Sequence, residues 1–426
     1  GLCVTLQLVL HFLRSFLMAP ARLHVVASAW LLVQAAALKT QRRNCPEFTS
    51  IVHDMKVNTS DRITQLTGCR NFARCTDSSK VDVQNKAVAA GSLEAAIGAM
   101  QRFPDDKEVQ VACTNALARP SLFNRENGLR AGRLGVLNYT MAAYSKWIDD
   151  PKVNTLGGAV GAFLDWCNEN RAILRELGGV HLLIQNIKNH FHGKYSDWGY
   201  EPVKQSLFGL SSGCWRNQDI CAKEGFVDLA VRLMNEHTSE TKIAEETLQA
   251  VKALMKFSNE YRLAFGEAGL AKAIVKVIRE NPTDRGALSL ACHSLAMFVG
   301  PVDMNDPVGL DVVHRDFEPR LQALATEAGA VEEMIATVTS KTVVQHHEHG
   351  AFSFDVDEAY NSDADCLWGL RAMAQENKQN QQKIARAGLV ADLAARATNQ
   401  RTRGEVCQLA RLLAAGGETV SFAACW

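Results

Sequence analysis

Residues Asn85 to Pro120 read NKAVAAGSLEAAIGAMQRFPDDKEVQVACTNALARP, and the fold is decided in this stretch. A short apolar-periodic run ends at Gly91, and a longer one follows at once. The polar break Asp105-Asp106 then introduces a third run, Glu108 to Ala118. Glycine takes the left-handed backbone conformation at little steric cost, so one residue can end a helix and start the next at an angle. Outward from Gly91, the same residue recurs at Gly135, Gly178, Gly225, Gly269, Gly329 and Gly388. The separations are 44, 43, 47, 44, 60 and 59 residues. A period near 44 is the signature of a repeat architecture, here with about 15 extra residues in each of the last two intervals.

Columns beside the glycine confirm the register. Two residues after it stand Leu93, Leu137, Val180, Val227, Ala271, Val331 and Val390. Six residues after come Ile97, Met141, Ile184, Val231, Val275, Ile335 and Ala394; nine after, Met100, Tyr144, Ile187, Met234, Ile278, Val338 and Ala397. Offsets of two, six and nine share one helical stripe, so these positions form a buried face. Four residues before the glycine, Ala87, Ala131, Leu174, Cys221, Phe265, Ala325 and Ile384 belong to the same core. Eight before, Asn127, Asn170, Asn217 and Asn380 read as N-caps of the first helix. Third helices are expected near Glu108 to Ala118, Lys242 to Phe257, Gly286 to Phe298 and Glu405 to Ala414, and small residues recur before Leu in such helices, at Ala116-Leu117, Gly209-Leu210, Ala253-Leu254, Ser294-Leu295 and Gly369-Leu370.

A short helix, a glycine, a longer helix and an Ala-Leu third helix resemble the armadillo repeat. Asn85 to Pro120, Asn217 to Asn259 and Asn377 to Ala415 are similar to that pattern nearly throughout, and the resemblance spans about residues 80 to 417. It implies an all-α, right-handed solenoid of seven to eight three-helix repeats, with a degenerate unit at Phe48 to Asp77. The expected organisation is an apolar N-terminal segment at 1–44, one solenoid at 45–417 with inserts near 302–319 and 342–361, and a tail at 418–426. Stacked repeats share a continuous core, so no domain boundary is expected inside the solenoid.

The resemblance also implies where binding occurs. In armadillo proteins the third helices line a concave groove that takes extended peptides or partner helices, and the importin-α type uses Trp and Asn four residues apart. The corresponding positions here are Asn115/Arg119, Ala162/Trp166, Phe208/Ser212, Lys252/Lys256, His293/Met297 and Trp368/Ala372. No pair is Trp/Asn, which disfavours an importin-α-like nuclear transport receptor. The expected groove residues are Asn115, Arg119, Trp166, Phe208, Ser212, Lys252, Lys256, His293 and Trp368. Aromatic anchors among positive charges suit an acidic or amphipathic protein partner.

Composition agrees. Hydrophobic residues make up 47% and charged residues 22%, with only 10 prolines, as expected of a helical globular chain. The 46 basic and 46 acidic residues cancel, which argues against nucleic acid as partner. No stretch is long and apolar enough for a membrane span. The 12 cysteines include no C-x-x-C pair and lie singly in apolar helical contexts, as at Cys113, Cys167, Cys214, Cys292, Cys366 and Cys407. Reduced core thiols and a cytoplasmic address are the expectation. The N-terminal stretch points elsewhere: from Met18, Arg22 and the run Val25 to Leu38, with Ala35-Ala36-Ala37, read as a secretory signal or as an amphipathic capping helix. Two glycosylation sequons occur, Asn58-Thr59-Ser60 and Asn138-Tyr139-Thr140, the second inside an expected packed helix.

Metal chemistry has two candidate locations. The first is Gln345-His346-His347-Glu348-His349, followed by Asp355, Asp357 and Glu358; His346, His347 and His349 would be the ligands of a metal-responsive regulator. The second is His190-Phe191-His192, at a helix end where histidine also suits the helix dipole. No phosphate loop, dinucleotide fingerprint, H-E-x-x-H or G-x-S-x-G is present, so no cofactor and no enzymatic activity are expected. The sequence reads as a protein-interaction scaffold.

Overall fold

In the computed structural model, residues 45–420 are described apart from 151–152, 154–155, 165–166, 193–199, 257, 301–316, 341–361 and 397–399. The N-terminal apolar segment, Trp166, the His346–His349 cluster and nearly all of both inserts therefore lie outside the described residues. The described chain is all helix, 23 in number, with no strand among them.

A two-helix unit opens it, α1 (Phe48–Val57) and α2 (Arg62–Cys75). Seven three-helix repeats follow. The first is α3 (Val81–Ala89), α4 (Ser92–Arg102) and α5 (Lys107–Ser121); the second is α6 (Arg125–Arg133), α7 (Val136–Lys146) and α8 (Leu156–Leu164). Next come α9 (Asn168–Glu176), α10 (Gly179–His190) and α11 (Glu201–Gly213), then α12 (Gln218–Lys223), α13 (Phe226–Glu236) and α14 (Thr241–Met255). The fifth repeat is α15 (Asn259–Ala268), α16 (Leu270–Glu280) and α17 (Arg285–Val299). The sixth is α18 (Pro319–Glu327), α19 (Ala330–Thr339) and α20 (Ser362–Ala374), and the last α21 (Lys378–Arg386), α22 (Leu389–Arg396) and α23 (Gln400–Ala415).

All seven ruler glycines have positive φ, from 65° at Gly388 to 95° at Gly91, and each separates a first helix from a second. The column four residues before them is completely buried in every repeat. Three third helices begin under carboxylate caps: Asp61, Asp106 and Asp284 accept from the first free backbone N–H groups of α2, α5 and α17. Each third helix packs on the next, from α2 through α23, giving one continuous core. At α8 and α11 the backbones approach closely: a Cβ on Gly209 would lie 2.7 Å from the Gly157 carbonyl oxygen, so only glycine fits there.

The asparagine column acts differently from expectation. Asn124 and Asn377 are the caps, so Asn127 and Asn380 fall inside α6 and α21, as Asn170 does in α9. Their amides donate backward to carbonyls at the end of the preceding third helix: Asn127 to Pro120 (2.9 Å), Asn170 to Phe163 (2.6 Å) and Asn380 to Met373 (2.8 Å). Asn217 does sit at the N-cap position of the short helix α12, yet its side chain also bonds backward, to the Gly213 carbonyl. A second ladder runs forward. Gln84, Arg171, Arg262 and Gln322 reach carbonyls at the end of their own repeat's third helix, as Arg262 does to Phe298 (3.0 Å) and Val299 (3.1 Å). Carbonyls orphaned at each helix end are satisfied by neighbouring first helices.

The cysteines correct the expectation of single reduced thiols. Disulfides join Cys45 to Cys75, Cys69 to Cys113, Cys214 to Cys221 and Cys292 to Cys366, and Cys407 is disulfide-bonded as well. Cys167 is buried, and its thiol donates to the Arg125 carbonyl at 3.6 Å. Two of the bonds link successive third helices, α2 to α5 and α17 to α20, because equivalent positions of stacked repeats face each other. The reducing compartment inferred from single thiols loses its basis.

Candidate protein-binding groove

Some side chains of the third helices stay clear of the core, and cavities lie between neighbouring third helices. The N-terminal half of the third-helix face is open. Around α5, α8, α11 and α14 a cavity of about 600 Å³ is lined by Asn115, Arg119, Gly158, Ala162, Lys204, Phe208 and Glu246, among others. Its floor on α8 carries only small residues, Gly158, Ala159 and Ala162, so the neighbouring Phe208 ring comes to lie against Gly161. A second cavity of about 470 Å³ lies between α2 and α5, lined by Arg70, Arg74, Lys107, Glu108 and Arg119 around Ala73, Val111 and Ala112.

Charge in the larger cavity is mixed. Arg119, Lys204 and Lys242 meet Glu201 and Glu246. Burial works to raise the Glu201 carboxyl, but hydrogen bonds from Lys204 and Gln205 outweigh it and hold the group below its ordinary value. Glu246 has no such donor: burial, reinforced by repulsion from Glu245, pushes it up to about 7. The cavity's net positive charge therefore grows as Glu246 takes up a proton near neutral pH.

Towards the C-terminus the face closes. On α17 nearly every side chain is buried, and Met297 and Ala372, at groove-aligned positions, are core residues. What remains accessible centres on buried Asp365 of α20. Arg401 of α23 donates to its Oδ1 at 2.6 Å, Ser289 of α17 donates to Oδ2, and His293 Nδ1 stands 3.7 Å away. Burial would raise the Asp365 carboxyl, but His293, Arg401 and Ser289 together hold it below the usual range. His293 packs edge-on against Trp368, ring centroids 4.8 Å apart, and burial followed by the charge of Lys252 pushes its imidazole down to about 4. At neutral pH the imidazole is uncharged, a hydrogen-bonding group and not a cation.

The expected residues thus divide. Asn115, Arg119 and Phe208 share the open cavity, while His293 and Trp368 form a separate pair, with Lys252 acting on His293 through its charge. Ser212 and Lys256 lie at helix ends: the Ser212 carbonyl accepts from Arg171 (2.9 Å), and Lys256 Nζ sits 4.2 Å above the Trp215 ring. Sequence reading missed Arg70, Arg74, Lys204, Lys242, Glu246 and Trp215. Lys204 lies one helical turn before Phe208, and Glu246 and Lys242 continue the same face of α14, so following that face back from the aligned pair would have found them. Arg70 and Arg74 belong to the degenerate first unit, which the alignment omitted.

His190 is buried and its Nδ1 bonds the Asn186 carbonyl at 2.9 Å within α10. Among the described residues no group of His, Cys, Asp or Glu is placed to hold a metal ion, and no helix is long and apolar enough to cross a membrane.

Solved structures place the architecture. An engineered protein is similar at a TM-score of 0.65 and 18% identity, over 87% of this chain and 79% of that one. A structure titled for a phosphorylation switch controlling the interaction between cadherin and beta-catenin is similar at 0.56 and 11% identity, over 86% and 68%. A designed armadillo repeat protein aligns at 0.49 and 19% identity, over 59% of this chain and all of that one. No protein-family model matches the chain, and no curated protein matches it in sequence. The protein is an all-α solenoid with an armadillo-like repeat fold.

Proposed function

We propose that the chain is a non-enzymatic protein-interaction scaffold that holds an acidic or amphipathic segment of a partner in the open, N-terminal half of the groove. The observation that supports this most is the cavity across α5, α8, α11 and α14, where a floor of small residues and the Phe208 ring sit between Arg119, Lys204 and Lys242. A partner helix or extended strand would lay apolar side chains over Gly158 and Ala162 and direct carboxylates to the rim. Buried aromatic and Arg positions carry most interface energy, so Phe208 and Arg119 are the expected anchors. Absence of a Trp/Asn ladder speaks against backbone clamping of a basic peptide.

Titration of a labelled Glu/Leu amphipathic peptide beside its Lys/Leu counterpart tests the reading. The acidic peptide should bind tighter, with affinity falling as salt rises. Charge reversal by Arg119→Glu together with Arg74→Glu should weaken it at least tenfold while circular dichroism stays unchanged. Equal binding of both peptides, or indifference to the reversal, would move the binding surface off this groove.

A further inference from the structure

The turn between α1 and α2 holds Asn58-Thr59-Ser60, a sequon, and all three residues are exposed. Large apolar side chains stand in water on both sides of it: Val57 is 66% exposed and Ile63 is 69% exposed, the two highest values among the described large hydrophobics. Two such residues flank one polar turn, each with most of its side chain in water. A bulky, hydrated group on Asn58 would shade both.

Disulfides supply an independent observation. Cytosolic thiols are kept reduced, and disulfides in a chain of this size belong to oxidising compartments such as the secretory lumen. Four pairs are present among the described residues, three of them between fully buried cysteines. Sequons are acted on in that same lumen.

We propose that Asn58 is an N-glycosylation site and that the solenoid matures in an oxidising, glycosylating compartment. In the transfer, Asn58 Nδ2 attacks the anomeric carbon of a lipid diphosphate-linked oligosaccharide. The new C–N bond replaces the C–O bond to the diphosphate, which leaves with its electron pair, and one amide proton passes to a base of the transferase. Each cysteine pair gives up two electrons and two protons to a protein disulfide of the lumen, which becomes two thiols. The folded turn tolerates the product: Asn58 Nδ2 donates only one hydrogen, to the Asp54 carbonyl at 3.1 Å, and the glycosylated amide keeps one. Asn138 is the poor acceptor of the two, since its sequon lies in α7 and Thr140 is fully buried with its hydroxyl 3.5 Å from that of Thr114. Of the two readings of the apolar run Val25 to Leu38, secretory signal and amphipathic capping helix, the first fits the same route.

The test takes full-length protein from its source cells, alkylated at lysis. Treatment with peptide-N-glycosidase should raise the mobility of wild type by the mass of one glycan. Ser60→Ala, which destroys the sequon while keeping Asn58 and its bond to Asp54, should abolish that step, and Asn138→Gln should retain it. Non-reduced peptide maps should contain Cys69 linked to Cys113. A wild-type chain unmoved by the enzyme, a shift that survives Ser60→Ala, or alkyl groups on both Cys69 and Cys113 would each overturn the proposal. Equal melting temperatures for the deglycosylated protein and Ser60→Ala show that the variant folds.

Discussion

The same substitution should have opposite signs at two glycines seven residues apart. Gly91 holds φ at 95°, where an L side chain meets its own backbone, so Gly91→Ala should cost about 1–2 kcal/mol. Gly98 lies inside α4, and a Cβ there would meet nothing within 4 Å. Alanine at 98 loses none of the room and gains helix propensity, so Gly98→Ala should stabilise by about 0.5–1 kcal/mol. Urea unfolding of the two variants decides it, and a loss of stability at both positions would contradict the assignment of Gly98. The asparagines show why residue type alone misleads. Asn380 has an N-cap's composition and an N-cap's neighbourhood, yet the helix starts at Lys378 under Asn377, and the amide turns back to Met373. Truncating it to alanine removes one of two donors to that carbonyl, Gln322 Nε2 at 3.0 Å being the other, a loss of about 0.5–1.5 kcal/mol.

At the scale of the helix, α14 and α17 carry opposed titrations. Burial pushes Glu245 up to about 7 in spite of the Lys242 ammonium 2.7 Å from its Oε2, whereas the free carboxyl titrates near 4.5. Between those values the folded chain holds a proton that the unfolded chain has released, so stability falls as pH rises from about 4.5 to 7. His293, pushed down to about 4 from 6.5, does the reverse, and its contribution rises between those two values. Above pH 6.5 only the falling limb remains. Glu246, pushed up to about 7 on the same helix, adds to that limb, so Glu245→Gln should remove part of the decline between pH 6.5 and 7.5 and stabilise the protein above pH 7 by on the order of 2–3 kcal/mol. Melting temperatures across pH 4 to 8 check this, and parallel curves for variant and wild type would refute it.

Stripe positions such as Leu93, Leu137 and Met234 follow from period and polarity, because a repeat cannot bury its face alone, and all three are buried in the structure. Tertiary approach is not written in that pattern. Nothing in the composition of α17 announces that its groove-aligned Met297 is enclosed, since amphipathic spacing says which face is apolar and not how closely the next helix stands. Cysteine pairing falls between the two cases. Cys69 and Cys113 are 44 residues apart, one period of the glycine ruler, so the pair was readable as a cross-repeat contact; Cys292 and Cys366 are 74 apart, where the extra residues hide the equivalence.

For the molecule as a whole, each repeat is held only by its neighbours, so stability is close to a sum of repeat and interface contributions. Staples between third helices act on those interfaces unevenly. Cys69–Cys113 closes 44 residues and Cys292–Cys366 closes 74, and on the chain-entropy account each restrains the unfolded segment by about 4 kcal/mol. The stretch from α8 to α16 carries only the local Cys214–Cys221 bond, whose span of 7 residues ties the end of α11 to α12 and bridges no pair of third helices. Reduction should then loosen the molecule from its ends, with α1 to α5 and α17 to α20 losing protection while α13 to α16 keep theirs. Hydrogen exchange with and without a phosphine reductant reads this repeat by repeat. Uniform loss along the chain would mean that the solenoid unfolds as one cooperative body and that the staples restrain nothing locally. Protection unchanged at α2 and α5 would mean that packing of the Cys69 and Cys113 helices suffices without the bond. The Val231→Asp variant separates these outcomes: an unpaired charge in the α13 core should unfold the middle repeats, and in oxidised protein the stapled N-terminal repeats should remain protected.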